Sequence, residues 1–187
     1  MNPRTNPYAP GAGTLPPELA GRDEIIEKAS IAVDRFREGR ASRSLLLVGL
    51  RGVGKTVLLT RIAWDTEGKG MIVVAIEAPE KGSLPALLIP PLRTALLKLD
   101  KMAGAGDMAK KALRTLGGFV SAMKLKYKDI AFCLDLGSES GLADTGNLEN
   151  DLIDLFTQVG NAAKEKKTAL VFLLMNSNML RESNLHV

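Results

Sequence analysis

The chain has 187 residues, with 25 Lys or Arg against 21 Asp or Glu, a formal charge of +4, 45% hydrophobic residues and only 4% aromatic ones. That is enough for one domain with an aliphatic core burying roughly 70% of its unfolded surface, and so mild a charge does not by itself point to nucleic acid. A single cysteine, Cys133, and a single histidine, His186, exclude an internal disulfide and argue against a zinc site or a histidine-based triad, and they fit a reducing cytosol.

Residues 1–17 carry Pro3, Pro7, Pro10, Pro16 and Pro17 with Gly11 and Gly13 between them. Proline fixes φ and removes an N–H donor, so this stretch predicts an extended arm, and residues 18–187 predict one domain. Met1–Gly13 lacks the apolar stretch of a signal peptide. Helical spacing begins after Gly21 through Ile25, Ala29, Val33 and Phe36, with Asp23 placed to cap it and Gly39 to end it. Ser44–Val48 ends in a continuous apolar run that predicts a strand covered on both faces. A loop at Gly49–Gly54 leads into a helix over Lys55–Trp64, and Met71–Ile76 predicts a second buried strand. Strand, loop, helix, strand is the pattern of a parallel sheet.

A helix is predicted from about Ser83 to Leu99, broken at Pro90-Pro91, and another over Met108–Met123 with Leu113, Leu116, Val120 and Met123 as its stripe. Ala103–Gly106 links them. Ile130–Leu136 predicts a third strand and Asn147–Ala163 a helix through Leu148, Leu152, Leu155, Phe156 and Val159. Thr168–Leu174 predicts the last strand. The longest apolar run, Ala169–Met175, is far short of a membrane span.

Charge is unevenly placed. Lys98 to Lys128 holds eight bases against Asp100 and Asp107, and Asp135 to Asp154 holds six acids and no base. Two solvated faces are the simpler reading. The competing one docks the basic helix on a polyanion or an acidic partner, with Lys110, Lys111 and Arg114 carrying any DNA contact. The lack of aromatics from Lys98 to Arg114 weakens a single-stranded nucleic-acid reading.

Gly49, Leu50, Arg51, Gly52, Val53, Gly54, Lys55 and Thr56 fit G-x-x-x-x-G-K-[ST], the P-loop. A polyphosphate packs several charges into a small volume. Backbone N–H groups at a helix N-terminus can receive them. Gly52 and Gly54 let the main chain wrap closely, Lys55 reaches back to the β- and γ-phosphates, and the Thr56 hydroxyl can meet Mg²⁺. A chance match in a chain this long is on the order of one per cent. The candidate phosphate residues are therefore Gly49, Arg51, Gly52, Val53, Gly54, Lys55, Thr56 and Val57, with Thr56 also the metal residue.

Pro17 to Asp23, then Arg43 to Gly49 and the P-loop, resemble the start of an AAA+ ATPase module, of the origin-recognition and STAND-like group. Within it they resemble a set of uncharacterised bacterial ATP-binding proteins, whose arm is similar to Asn6-Pro7-Tyr8 and Pro10-Gly11-Ala12-Gly13-Thr14. The resemblance spans Asn6 to Leu174. It implies an α/β P-loop NTPase fold, a three-layer αβα sandwich with a mainly parallel sheet, binding ATP or ADP with Mg²⁺. It also implies that Leu19, Ala20 and Arg22 line the base pocket; alternatively, Arg22 merely starts a helix beside Asp23 or Glu18.

In the family an acid pair ends the strand beside the P-loop strand, the first acid holding Mg²⁺ and the second positioning the attacking water. The matching run here is Leu170–Leu174, so Met175 and Asn176 stand at the acid positions. Met cannot order a magnesium shell and Asn cannot take a proton. Codons for the pattern Asp-Glu-Phe-Gln-Tyr-Val, written GAT GAA TTC CAA TAT GTT, read Met-Asn-Ser-Asn-Met once the leading G is lost, as in Met175 to Met179. One reading is that a single base lost after the Leu174 codon replaced the pair and ended the chain early; an expressed fragment and a natural short form are the alternatives. The coding DNA tests this: if neither frame yields Asp-Glu at that point, the idea is wrong.

Asp135, which also ends an aliphatic run, is a candidate substitute acid, though the resemblance favours its merely ending an accessory strand before the loop Gly137 to Gly146; Glu77, after Met71–Ile76, is a weaker candidate. An AAA+ module also continues with two further strands, a polar sensor residue, an arginine finger and a helical lid. The few residues after Leu180 have no room for them, so the chain reads as an incomplete AAA+ core. A free sheet edge, and with it self-association, is expected. Three functions compete: an ATPase within a larger assembly, a nucleotide-binding module without hydrolysis, and a nucleic-acid-binding initiator fragment. The missing acids favour the second.

Overall fold

A computed structural model describes residues 19, 21–50, 52–78, 83–104, 106–126 and 141–176. The elements are α1 (Asp23–Arg37), α2 (Lys55–Gly68), β1 (Ile72–Ala78), α3 (Leu84–Lys101), α4 (Asp107–Lys126), α5 (Leu148–Glu165) and β2 (Leu170–Asn176). β1 and β2 pair in parallel, Ile72 opposite Leu170 and Ala78 opposite Asn176. The predicted strand Ile130–Leu136 and the arm 1–17 lie outside the described residues.

The sheet has a helical layer on each side. Val74 and Ile76 of β1 enter the main core with Leu88, Leu92, Leu96 and Leu99 of α3, Leu116, Phe119 and Met123 of α4 and Leu155 and Val159 of α5. Leu170 and Phe172 of β2 pack on the same core, and the Phe172 ring meets Phe156 edge-on at 5.3 Å. Strand side chains alternate between faces. The next residue, Leu173, is buried but forms no part of that core, and α2 contacts both strands. On this side Ala29 of α1 packs with Leu58 and Ile62 of α2, joined by Ile25, Ile26 and Leu47. The result is the expected α/β arrangement with a small parallel sheet.

Local signals explain most ends. The Asn147 side chain accepts from the Glu149 and Asn150 amides and starts α5, while Ser83 accepts from the Ala86 amide and starts α3, with proline in its first turn. Gly39 follows α1 at φ +73°. Asp23, however, is the first helical residue of α1 rather than its cap; Arg22 holds the cap position, and its side chain does not cap the helix.

Two expectations fail. First, α3 runs unbroken through Pro90 and Pro91. Each proline removes a helical donor and costs about 3 kcal/mol. Against that, Leu88 and Ile89 before the prolines and Leu92, Leu96 and Leu99 after them are at least 96% buried, at roughly 2 kcal/mol each. Burial wins.

Second, Ser44–Val48 is not a strand covered on both faces. Residues 40–50 have no regular secondary structure, and Leu46 and Val48 are each 85% exposed. Their neighbour Leu47 packs on α1 and α2. The segment therefore has one covered side and one bare side, because β1 and β2 pair with each other and not with it.

Candidate functional site

The loop between Leu47 and α2 is shaped by its glycines. Gly52 has φ +80° and Gly54 φ +81°, both in the left-handed region where a Cβ is strained. Gly54 is the N-cap of α2, so Lys55 and Thr56 open the helix and its unpaired N–H groups begin at the loop. A Cβ on Gly49 would meet the Val53 side chain at 3.3 Å, so the first glycine of the loop lies close against that side chain.

Lys55 does not stand out in solvent. Its Nζ donates to the Gly49 carbonyl at 2.8 Å and the Leu50 carbonyl at 2.6 Å. The ammonium is thus turned back across the loop. Thr56 and Val57 are half-buried, and the Thr56 carbonyl accepts from Thr60 Oγ1.

A second helix starts at the same place. Arg22, the residue before α1, donates from Nη2 to the Val53 carbonyl at 2.8 Å. Leu19 is half-buried and its carbonyl accepts from the Arg22 amide. At the other ends of the helix pair, Lys69 Nζ reaches the Asp34 carboxylate at 2.7 Å and Ser30 Oγ at 2.7 Å. α1 and α2 therefore run the same way, and both N-termini come to the loop. Glu24, in the first turn of α1, has its carboxyl held below the ordinary range by a hydrogen bond from Lys28 and by that cation's charge. That is a surface pair and not part of the loop.

The strand ends supply little acid. β2 pairs with β1 and not with Ser44–Val48, contrary to the expectation that the acid-position strand lies beside the P-loop strand. Met175 stands opposite Glu77 and Asn176 opposite Ala78. Glu77 is exposed. Among the described residues no group of three or more His, Cys, Asp or Glu could hold a metal ion.

A groove of about 700 Å³ lies elsewhere, at the start of α5 between Thr145 and Leu152. Its helix-start amides are already bonded to Asn147 and its loop amides to Asp151, so it offers no ready anion cradle.

The sequence profile of the AAA ATPase domain family matches residues 18–186. The chain belongs to the AAA ATPase domain family. No match was found among curated proteins or among solved structures. The resemblance read from the N-terminal motifs thus agrees with a match over nearly the whole chain, and a nucleotide-binding, ATPase-like role follows at the level of the family.

Of the candidate residues in this AAA domain, the structure gathers Arg22, Gly49, Val53, Gly54 and Lys55 by direct contact or chain connection at one loop. Arg51, Ala20 and Asp135 lie outside the described residues. The Arg22–Val53 contact was not foreseen, since a single arginine before a helix carries no sign of which carbonyl it meets 31 residues on. Nor was the register that sets Glu77 beside Met175. No helix among the described residues is long and apolar enough to cross a membrane.

Proposed function

We propose that this chain binds ATP or ADP with Mg²⁺ through Gly49–Val57 and does not turn it over at an appreciable rate. The observation that carries this reading is the loop itself. Two left-handed glycines lead into the first turn of α2, and the Lys55 ammonium is folded across the loop. Phosphate oxygens suit such a donor set, because helix N-terminal amides and an ammonium both seek negative charge. The amides of Gly52 to Thr56 hold the phosphates and Lys55 neutralises them, and by the resemblance Leu19, Ala20 and Arg22 would line the base pocket.

Mg²⁺ fits less completely. Thr56 would supply one oxygen ligand and the nucleotide phosphates others, while Met175 would supply none; the chemistry the ion would add is to offset phosphate charge. With Met175 and Asn176 at the acid positions, those two residues can neither order the metal's waters nor draw a proton from an attacking water. In this proposal, residues 18–187 act as one nucleotide-binding domain of the cytoplasm, with residues 1–17 as its arm. The exposed side chains of Leu46 and Val48, each 85% accessible, support self-association.

Glu77 favours a second reading, an active ATPase using a substitute acid, since its register places it next to the Met175 position. Calorimetry with ADP and ATP, with phosphate release followed on the same sample, separates the two. Binding without release above a Lys55→Ala control is expected. Release well above that control, lost in Glu77→Gln, establishes the second reading instead.

A further inference from the structure

We propose that Arg22 is a positioning residue of the phosphate loop, holding the Val53 carbonyl so that the Gly54 N–H is turned to the phosphate side. The inference rests on the phosphate-binding role of the loop given above. It departs from the expectation that Arg22 serves the base alone.

The argument starts from the peptide plane. In a trans peptide the carbonyl of one residue and the N–H of the next point in opposite directions. The Val53 carbonyl is drawn to the guanidinium of Arg22 at 2.8 Å. The Gly54 N–H therefore faces away from Arg22. Gly54, at φ +81° and ψ 20°, then carries the chain directly into α2. A glycine in this conformation has wide freedom, and its peptide can turn over at little cost. Something outside the loop must choose the orientation.

Val53 is fixed from two sides. Its side chain lies against Gly49, so closely that a Cβ there would meet it at 3.3 Å, and its carbonyl lies on Arg22. Arg22 is itself held. It precedes the first residue of α1, its amide donates to the Leu19 carbonyl, and its carbonyl accepts from the Ile25 and Ile26 amides. α1 is packed on α2 through Ala29, Leu58 and Ile62 and pinned at its far end by Lys69 to Asp34. The guanidinium thus hangs from a body that moves with α2. It acts as a fixed post from which one loop carbonyl is turned outward.

A base contact and a loop contact are distinguishable with a ligand that has no base. Arg22→Met keeps the aliphatic stem and removes every donor; Arg22→Lys keeps a charged donor on a flexible stem. The probes are inorganic tripolyphosphate and ADP, measured by calorimetry on the folded protein, with a thermal melt as the record of folding. Arg22→Met is expected to loosen both ligands by the same factor, about tenfold, the usual effect of losing a charged hydrogen bond at a half-exposed site. Arg22→Lys is expected to recover affinity to within about threefold of the original.

A loss confined to ADP, with tripolyphosphate unaffected, assigns Arg22 to the base and overturns the proposal. Unchanged affinity for both overturns it as well. A role only in docking α1 lowers the melting midpoint without moving the tripolyphosphate affinity of the folded fraction, and is likewise fatal to it. Should Arg22→Met not fold, Arg22→Lys decides with amide NMR. The Gly54 N–H signal must still shift on adding tripolyphosphate, and an unmoved signal in the unsubstituted protein contradicts the proposal. If the unsubstituted protein binds neither ligand, it is the phosphate-binding reading itself that fails.

Discussion

Lys55→Ala is expected to loosen ADP binding about a hundredfold while costing the fold about 1 kcal/mol or less. The two effects differ because the ammonium's partners differ. In this structure Lys55 Nζ bonds two neutral carbonyls, those of Gly49 and Leu50. Both residues are exposed, so water can take the place of a lost ammonium and little stability goes with it. A phosphate oxygen is charged, and the bond to it is roughly twice as strong as one to a neutral acceptor. Moving the ammonium from carbonyl to phosphate therefore gains free energy, and alanine removes that gain entirely. A factor of one hundred corresponds to about 2.7 kcal/mol, which two charge-assisted bonds net of two surrendered carbonyls can supply. Calorimetry and a urea melt on the same preparations check both halves. Lys55→Ala binding ADP within threefold of the unsubstituted protein removes Lys55 from the phosphate site.

The same loop shows how far sequence reasoning reaches. The glycines, the lysine and the helix that follows are local matters, set by φ and by the N-terminal dipole. They were legible because each needs a particular residue type at a particular spacing. The stripe of α4 was legible for a like reason, and Leu113, Leu116, Val120 and Met123 are all buried. Ser44–Val48 was misread because an apolar run announces a wish for burial and not the presence of a neighbour. Pairing depends on which strands meet, and Ile72–Ala78 met Leu170–Asn176. The prolines of α3 were misread in the opposite direction. A local penalty was weighed without the buried leucines on either side. Arg22 and Val53 are far apart in the chain, and only the parallel packing of α1 and α2 brings them together. Local chemistry was readable; long-range partnership was not.

Asp151 carries that lesson into stability. By spacing it belongs to an acidic stretch read as solvated, yet it is fully buried. Its carboxylate accepts from the Thr145 amide at 3.0 Å, Thr145 Oγ1 at 2.7 Å and the Gly146 amide at 2.9 Å. These bonds fold residues 145–147 back onto the first turn of α5 and place Asn147 to cap it. Asp151→Ala removes the buried acceptor that the Thr145 amide, Thr145 Oγ1 and the Gly146 amide share. The expected loss is about 3 kcal/mol, the combined effect of the missing charge-assisted bonds. Asp151→Asn keeps one acceptor oxygen but turns an NH₂ group towards a donor, and about half that loss is expected. Glu149, two residues before it, is exposed in the first turn of α5, where its charge favours the helix dipole, so Glu149→Ala should cost about 0.5 kcal/mol or less. Urea melts of the three variants give the order. If Asp151→Ala proves no more costly than Glu149→Ala, the carboxylate is not what holds this turn, and the capping of α5 must come from Asn147 alone.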